Sequence, residues 1–407
     1  MLIMVKINNK ANCCGCSACL NICPRSCIVM VTDDEGFQYP EVNEELCVKC
    51  GLCEKTCPQI EYTENSVSLK SMAVQCYDQE SRARSTAGGG FTPIAKYVLE
   101  HGGIVFGAAY NSEYEVGHIG VETTTELFKL QGSKYVQSVL SNTYKNVLDN
   151  LKKERMVLFS GTPCQVAGLY TFLKTSKVPQ GGEKLLTVSV ACRAVPSPLI
   201  FKKYIEMQKE AFHGEICDVR CRDKFYGYSY STMSVYSSNK NIHSDYHCSV
   251  ESDEWLRCFF SGVCDRPCCG SCHFRGIIGD FQIGDYFRVG DVAPELDDNR
   301  GTTRMVIGSE RGLEVFNNIE NQYRYKELSN IQLKKTTQNA LSTFGKDKDK
   351  RKAFFEDANK MSGKELFNKY YPRTAKIKLL QYGRFITYKL GIYGHIKKVL
   401  MKLKCKR

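Results

Sequence analysis

Cysteine spacing constrains this chain more than any other feature. The run Cys13-x2-Cys16-x2-Cys19-x3-Cys23-Pro24 recurs as Cys47-x2-Cys50-x2-Cys53-x3-Cys57-Pro58. Three thiolates on a tight loop can cap a face of an iron–sulfur cubane. The fourth cysteine, just before proline, opens a short helix turned toward the other cluster. The spacing therefore predicts one 4Fe–4S cluster on Cys13, Cys16, Cys19 and Cys57, and another on Cys47, Cys50, Cys53 and Cys23. Gly15 and Gly51 have no side chain and let backbone N–H groups approach the sulfurs, a lever on potential. Zinc sites use pairs of Cys-x2-Cys, not a triple plus Cys-Pro given twice. Cys14 and Cys27 fall outside the pattern and read as packed thiols. Between the motifs, Ile28–Thr32 and Phe37–Pro40 flank the acidic turn Asp33–Gly36, which reads as a small hairpin with a solvated turn.

This segment resembles the bacterial two-cluster ferredoxin over its whole length. Such a head moves single electrons, so something downstream must use them. At 407 residues the chain is long enough for two or more domains. Its 22 cysteines suit metal or redox chemistry in a reducing compartment better than a disulfide scaffold. No signal-peptide apolar region opens Met1–Lys10, and no uncharged run of ~20 apolar residues occurs. A cytoplasmic location is expected.

The formal charge of +12 is unevenly placed. Twelve of the 56 basic residues lie in 366–407, which holds no acid, so the other 44 balance the 44 acids of residues 1–365. The body is neutral, which excludes a basic nucleic-acid-binding surface there. The stretch Lys376–Arg407 interleaves its cations with Leu379, Leu380, Phe385, Ile386, Leu390, Ile392, Val399, Leu400 and Leu403. It reads either as a basic amphipathic helix for anionic lipid or an acidic partner, or as a solvated tail.

Residues 59–71 are polar and read as a linker. Strands are predicted at Ala73–Tyr77, Ile104–Ala109, Met156–Ser160, Leu186–Ala191, Val219–Cys221, Thr232–Tyr236, Phe281–Ile283 and Arg304–Ile307. Helices are predicted at Phe91–His101, Asn142–Lys153, Gln165–Lys174 and Pro198–Phe212. The expected fold class is α/β: an α+β ferredoxin head followed by an α/β domain with a mixed sheet. The expected domains are 1–60, 72–310, a helical extension 311–372 and the basic tail 373–407.

Four body segments carry chemistry. Ser85–Phe91 places a glycine run before a helix, where a cofactor phosphate could sit, although a flexible turn reads the same way. Gly132–Ser138 offers a cation, hydroxyls and an aromatic face, or is an ordinary exposed loop. Phe159–Gln165 runs from strand to helix with Cys164 at the helix start, suited to a metal ligand, a redox nucleophile or a buried thiol. Cys192 stands at a second strand-to-helix junction, and Pro267–Cys272 adds three more cysteines.

Together these segments resemble the beta-subunit family of coenzyme F420 hydrogenases and dehydrogenases. The resemblance rests on STAGGGF (85–91), GSKYVQS (132–138), GTPCQ (161–165), CRAVPSP (192–198), CRDKFYGY (221–228), RPCCGSC (266–272) and FQIGD (281–285). It implies FAD and a third 4Fe–4S cluster. The implied ligands are Cys164, Cys192, Cys269 and Cys272, with Cys264 and Cys268 near enough to substitute. Zinc on Cys264, Cys268, Cys269 and Cys272 is an alternative. FAD would rest on Thr86, Gly88, Gly89, Gly90, Ser133, Lys134 and Gln137. Arg193 replaces the family's histidine, exchanging a titratable imidazole for a permanent cation able to hold a flavin anion or an acidic substrate. Lys224 is a candidate for the substrate or flavin side, with surface salt-bridging of Arg222, Asp223 and Lys224 as the competing reading.

The expected function is an iron–sulfur flavoprotein oxidoreductase. It would link a one-electron carrier such as reduced ferredoxin to an unidentified two-electron organic substrate. The alternatives are a non-catalytic electron-transfer subunit of a larger complex and a zinc-stabilised binding module.

Overall fold

The computed structural model describes residues 5–62, 68–238, 245–332, 348–394 and 396. Part of the expected linker (63–67) and the end of the basic tail, including Val399, Leu400, Leu403 and Cys405, lie outside the described residues.

The head contributes α1 (Ala18–Ile22) and a hairpin of β1 (Ile28–Thr32) with β2 (Gln38–Val42), paired antiparallel. The body is built on an eight-stranded mixed sheet. Its strands are β3 (Lys70–Cys76), β4 (Ile104–Tyr110), β5 (Val116–Val121), β6 (Val157–Gly161) and β7 (Leu185–Val190), then β11 (Phe281–Asp285), β12 (Thr303–Ile307) and β13 (Tyr323–Glu327). The spatial order is β13-β3-β12-β11-β7-β6-β4-β5. The central run β4, β6, β7 and β11 is parallel, and the outer pairings are antiparallel. Strands β8 (Ile216–Asp223), β9 (Thr232–Ser237) and β10 (Tyr246–Ser249) form a separate antiparallel sheet.

Helices α2 (Phe91–Glu100), α3 (Thr143–Lys152), α4 (Pro163–Thr175) and α5 (Pro198–Phe212) connect the sheet strands. Further along come α6 (Glu254–Ser261), α7 (Glu310–Ile319), α8 (Lys348–Ala358), α9 (Gly363–Tyr370) and α10 (Ala375–Lys389). One sheet face buries Ile94 and Val98 of α2 and Phe316 of α7, and the other buries Tyr144 of α3 with Val166, Leu169 and Phe172 of α4. Parallel strands covered on both faces by helices, flanked by antiparallel ones, give the α/β domain with a mixed sheet expected from strand–helix alternation.

Three strands escape the sequence reading. In β5, Val-Gly-His-Ile-Gly-Val, two glycines dilute the β signal. In β10 the run is short, and in β13, Tyr-Arg-Tyr-Lys-Glu, an edge strand keeps charges outward. Because β13 pairs with β3, the sheet continues past residue 310, where the sequence separates body from extension.

The head is built into the body. Asn21 Nδ2 donates to Ser141 O at 2.7 Å, and Thr171 Oγ1 of α4 donates to Thr56 O at 2.7 Å. The acidic hairpin turn is docked, which corrects its reading as solvated. Ser197 Oγ donates to Glu35 O, and Arg351 of α8 forms an ion pair with Glu35. Gly36 has φ +81°, and a Cβ there would stand 2.5 Å from Leu199 Cβ. Its glycine thus answers both backbone conformation and close approach.

Candidate electron-transfer site

In the head, Cys13, Cys16, Cys19 and Cys57 face one another closely enough for mutual electrostatic influence. Burial pushes the Cys19 thiol far up and the Cys57 thiol to about 11. The second set, Cys23, Cys47, Cys50 and Cys53, lines a single pocket. Cys27 lines the same pocket, its Sγ 3.3 Å from Cys23 Sγ, so this thiol belongs to the second set's surroundings. Val5 N donates to Cys53 Sγ at 3.3 Å, and Cys50 is exposed. The two pairings expected from the spacing are thus the groups of thiols that the fold collects. Thiols buried in this way ionise when they gain a metal, so the donor set fits a thiolate-ligated cluster.

In the body, Cys164 is the second residue of α4, just past β6, and Cys192 follows the neighbouring parallel strand β7. Both therefore emerge at the C-terminal ends of adjacent strands. Cys269 and Cys272 come from the turn after an isolated bridge between Pro196 and Asp265. Cys192 senses Cys269, Cys164 and Cys272, and its burial drives the thiol well up. The structure therefore brings the expected quartet together. Cys268 instead turns toward Cys269, Cys14 and Cys164. Cys264 meets Cys258 in a separate core beside Tyr371, so the alternative zinc set containing Cys264 does not assemble. Among the described residues no three His, Cys, Asp or Glu side chains are gathered tightly enough for a single metal ion.

Cys14, taken from sequence as a packed thiol, has a more particular position. Its thiol is near enough to Cys16 of the head and Cys164 of the body to be influenced by both. One helical turn after Cys164, Gly168 presents bare backbone to Cys16: a Cβ there would stand 3.0 Å from Cys16 Sγ. This first stretch of α4 therefore links the two thiol groups. Arg266 closes the same junction from the body side. It is fully buried, with Nε donating to Cys13 O at 2.8 Å and Nη1 donating to Gln137 Oε1 at 2.9 Å. A Cβ on Gly15 would fall 2.6 Å from Gln137 Nε2 and 2.8 Å from Arg266 Nη1. These two side chains fill the space that Gly15 leaves open.

The residues expected around a flavin divide into groups. Thr86 and Ser133 meet: Ser133 N donates to Thr86 Oγ1 at 2.8 Å. The amides of Gly88 and Gly90 donate to Thr303 Oγ1 at 2.9 and 3.3 Å, and a Cβ on Gly88 would collide with Val74 O at 2.3 Å. Gly89 has φ +81°. This glycine run therefore packs onto β3 and β12. Lys134 donates to the carbonyls of Lys129 and Gln131, and burial pulls its amine down to about 7. Gln137 stands apart, its Nε2 donating to Cys14 O at 3.1 Å in the head–body junction.

Lys224 donates to the carbonyls of Arg82 and Ala87, clamping the Ser85–Phe91 loop. Burial, then the nearby Arg82 cation, brings it to about 7. Arg193 donates to Phe259 O at 2.9 Å and Phe260 O at 2.8 Å.

Between these groups is a constellation the sequence did not single out. Arg222 Nη1 is 3.4 Å from both Tyr135 Oη and Asp285 Oδ2, and its guanidinium lies 5.0 Å over the Phe287 ring. Tyr228 donates to Asp285 Oδ1 at 3.3 Å and stacks on Phe287. Among the described residues Arg222 Nε is buried without a hydrogen-bond partner. The signal available in sequence was the order of the motifs containing Tyr135, Arg222, Tyr228 and Asp285; their convergence is tertiary.

Residues 154–332 match the family of the coenzyme F420 hydrogenase/dehydrogenase beta subunit, over that family's C-terminal region, and residues 12–59 match a 4Fe-4S dicluster domain. The chain is similar to this beta-subunit family over residues 154–332. It carries the dicluster domain as its head. Over 167 residues, 40% of this chain, it is 28% identical to the coenzyme F420-dependent sulfite reductase of Methanocaldococcus jannaschii. It spans about a quarter of that protein's length, 26%. Over 58 residues, 14% of this chain, it is 36% identical to ketoisovalerate oxidoreductase subunit VorC of Methanothermobacter marburgensis, and the match covers 73% of that protein. One polypeptide of the F420-reducing [NiFe] hydrogenase complex from Methanosarcina barkeri aligns with TM-score 0.47 and 14% identity, over 72% of this chain and 92% of that one. The family is one of iron–sulfur electron-transfer oxidoreductases, and 4Fe–4S clusters belong to the head. Among the described residues, no helix is long and apolar enough to cross a membrane.

Proposed function

We propose that the chain is an iron–sulfur flavoprotein oxidoreductase that exchanges electrons between a one-electron carrier and a two-electron organic substrate in the reducing cytoplasm. The observation that carries this reading is the packing of Cys16 against Gly168, one helical turn after Cys164, with the Cys14 thiol near both Cys16 and Cys164. It joins the head's first thiol set to the body's quartet inside one buried interface. In this reading Cys13, Cys16, Cys19 and Cys57 hold one cluster, and Cys47, Cys50, Cys53 and Cys23 a second. Cys164, Cys192, Cys269 and Cys272 hold a third. FAD, when bound, would supply the exchange between one-electron and two-electron chemistry.

The fit for an anionic, planar cofactor rests on Arg222. Its Nε is a buried donor that no described residue uses, and Tyr135, Tyr228 and Phe287 offer aromatic faces around it. Ser133, just before Lys134 and Tyr135, adds a hydroxyl that meets Thr86. Lys224 and Arg193 are assigned to holding backbone: the first fixes the Ser85–Phe91 loop, and the second fixes the end of α6. That use of both cations favours one second reading, an electron-transfer subunit whose chemistry is completed by a partner protein.

The basic helix α10 is assigned to peripheral contact with anionic lipid. Its inner side is anchored by Arg384 with Glu251 and by Phe385 and Tyr388 against Tyr226. Leu379 and Leu390 remain 71% and 65% exposed on the outer side.

Anaerobic purification with flavin, iron and sulfide quantified per chain tests the main reading. About twelve irons and one flavin are expected from three clusters plus FAD. Eight irons without flavin would leave the electron-transfer subunit.

A further inference from the structure

Arg266 is a buried cation without an acidic partner. No Asp or Glu among the described residues forms an ion pair with it, and all its hydrogen bonds to oxygen go to neutral acceptors: Cys13 O, Gln38 O at 2.8 Å and Gln137 Oε1. Phe37 and Tyr39 cover the guanidinium at 5.3 and 4.3 Å from their ring centres. Burying an unpaired charge is costly, and a chain keeps one where a counter-ion compensates it. The groups positioned to do so are sulfurs. Nη2 is 3.6 Å from Cys13 Sγ, and Cys268 and Cys14 are also within electrostatic range.

We propose that Arg266 is the counter-cation of the first thiol set, raising the reduction potential of the cluster held by Cys13, Cys16, Cys19 and Cys57 above that of the cluster held by Cys47, Cys50, Cys53 and Cys23. Reduction adds one negative charge. A guanidinium next to a ligand sulfur in a low-dielectric interior stabilises that charge, and burial limits screening by salt. At the second set the cations lining the pocket, Arg25 and Lys49, are solvent-exposed and therefore weakly felt.

The consequence is a direction. Cys50 is exposed, with Leu46 and Val48 on the surface beside it, so an external carrier reaches the second set first. Electrons arriving there move downhill toward the set that Arg266 faces, next to Cys14 and Cys164. The cation is fixed by the frame that carries the body thiols. Arg266 N donates to Val195 O at 2.9 Å, and Arg266 O accepts from Cys269 N at 2.9 Å. The body thereby sets the potential of the head's inner site.

This inference rests on the assignment of Cys13 as a cluster ligand. The test is an EPR-monitored redox titration of the full chain, purified anaerobically with iron counted, as wild type, Arg266→Gln, Arg266→Lys and Cys13→Ser. The expected result is that Arg266→Gln lowers one head midpoint and leaves the other signals in place, while Arg266→Lys keeps the higher value. Arg266→Gln with full iron and wild-type potentials overturns the proposal. Loss of four irons in both arginine variants also overturns it, leaving Arg266 a structural clamp. A Cys13→Ser chain with wild-type iron and unchanged head signals overturns the ligand assignment beneath it, a signature distinct from the other two.

Discussion

The Cys16 sulfur occupies the space that a side chain on Gly168 would need. A Cβ at Gly168 would lie 3.0 Å from Cys16 Sγ, 2.9 Å from Cys16 Cβ and 2.9 Å from Tyr144 Oη. Helix α4 thus touches the head with Gly168 and, one turn earlier, presents Cys164 to Cys14. Its start is rigid: Pro163 fixes the first turn, and Gln165 Oε1 accepts from Thr162 N at 2.9 Å. The separation of the head's first thiol set from the body quartet is consequently set by one short segment of helix.

Gly168→Val therefore acts as a wedge. Overpacking of this kind costs about 1–3 kcal/mol, and here relief requires the head to shift away from α4. The expected outcome is a folded chain with unchanged head iron and slower reduction of the body centres. Stopped-flow absorbance after mixing with a reduced carrier checks it, with Gly168→Ala as a smaller wedge of intermediate effect.

The two cysteine groupings in the body give opposite expectations. Cys192→Ser or Cys269→Ser removes a thiolate from the converging quartet and is expected to lower iron by about four per chain. Cys264→Ala removes a thiol that meets Cys258 in the core beside Tyr371 and is expected to leave iron unchanged while lowering stability. Iron and sulfide analysis alongside thermal unfolding separates them. Loss of iron in Cys264→Ala would move the third site.

What was legible in sequence and what was not follow the range of the interactions. Cys13 through Cys57 announce two thiol sets because ligand spacing is local chemistry. Strands β4, β6 and β7 announce themselves because buried parallel strands are continuous apolar runs. The contacts that turn these parts into one electron route are not local. Arg266 reaches Cys13 across 253 positions, and Gln137 reaches Cys14 across 123. Neither carries a periodicity or spacing that marks it. Cys14 and Cys27 looked redundant because a thiol's value here depends on which other thiols the fold brings to it. Gly88 illustrates the reverse case: a glycine run before α2 suggested a ligand cradle, while the space is filled by Val74 O and the Thr303 backbone.

Lys224 makes a pH prediction. Its native value of about 7 lies below the unfolded value of 10.5, chiefly through burial. Between these values the unfolded chain binds the extra proton, so its contribution to stability rises with pH. The penalty is fully present below pH 7 and is relieved as pH climbs from 7 toward 10.5. The slope is at most about 1.4 kcal/mol per pH unit. Lys224→Met lacks this dependence. Denaturant unfolding of both chains from about pH 6.5 to 9 is expected to show wild type gaining on the variant with each step. Parallel curves would mean that Lys224 stays charged against the Arg82 and Ala87 carbonyls.

The outer side of α10 supplies the last expectation. Leu379, Leu380, Tyr382, Ile386 and Leu390 are exposed along it, Lys376, Lys378 and Lys389 lie on the same helix, and no acid occurs from residue 366 onward. An apolar stripe with basic neighbours suits the interface of an anionic bilayer, where leucines enter the acyl boundary and lysines meet headgroups. Burying one leucine side chain is worth about 1.5–3 kcal/mol, so Leu379→Glu with Leu390→Glu should weaken association by more than tenfold. Sedimentation of the full chain with phosphatidylserine-containing vesicles measures this, and neutral vesicles should hold less protein. Because the anchoring face of α10 uses Arg384, Phe385 and Tyr388, the double variant should keep wild-type iron content and unfolding temperature. Equal sedimentation of variant and wild type would remove lipid as the partner of this face, leaving the helix to a protein surface or to the rest of the basic tail.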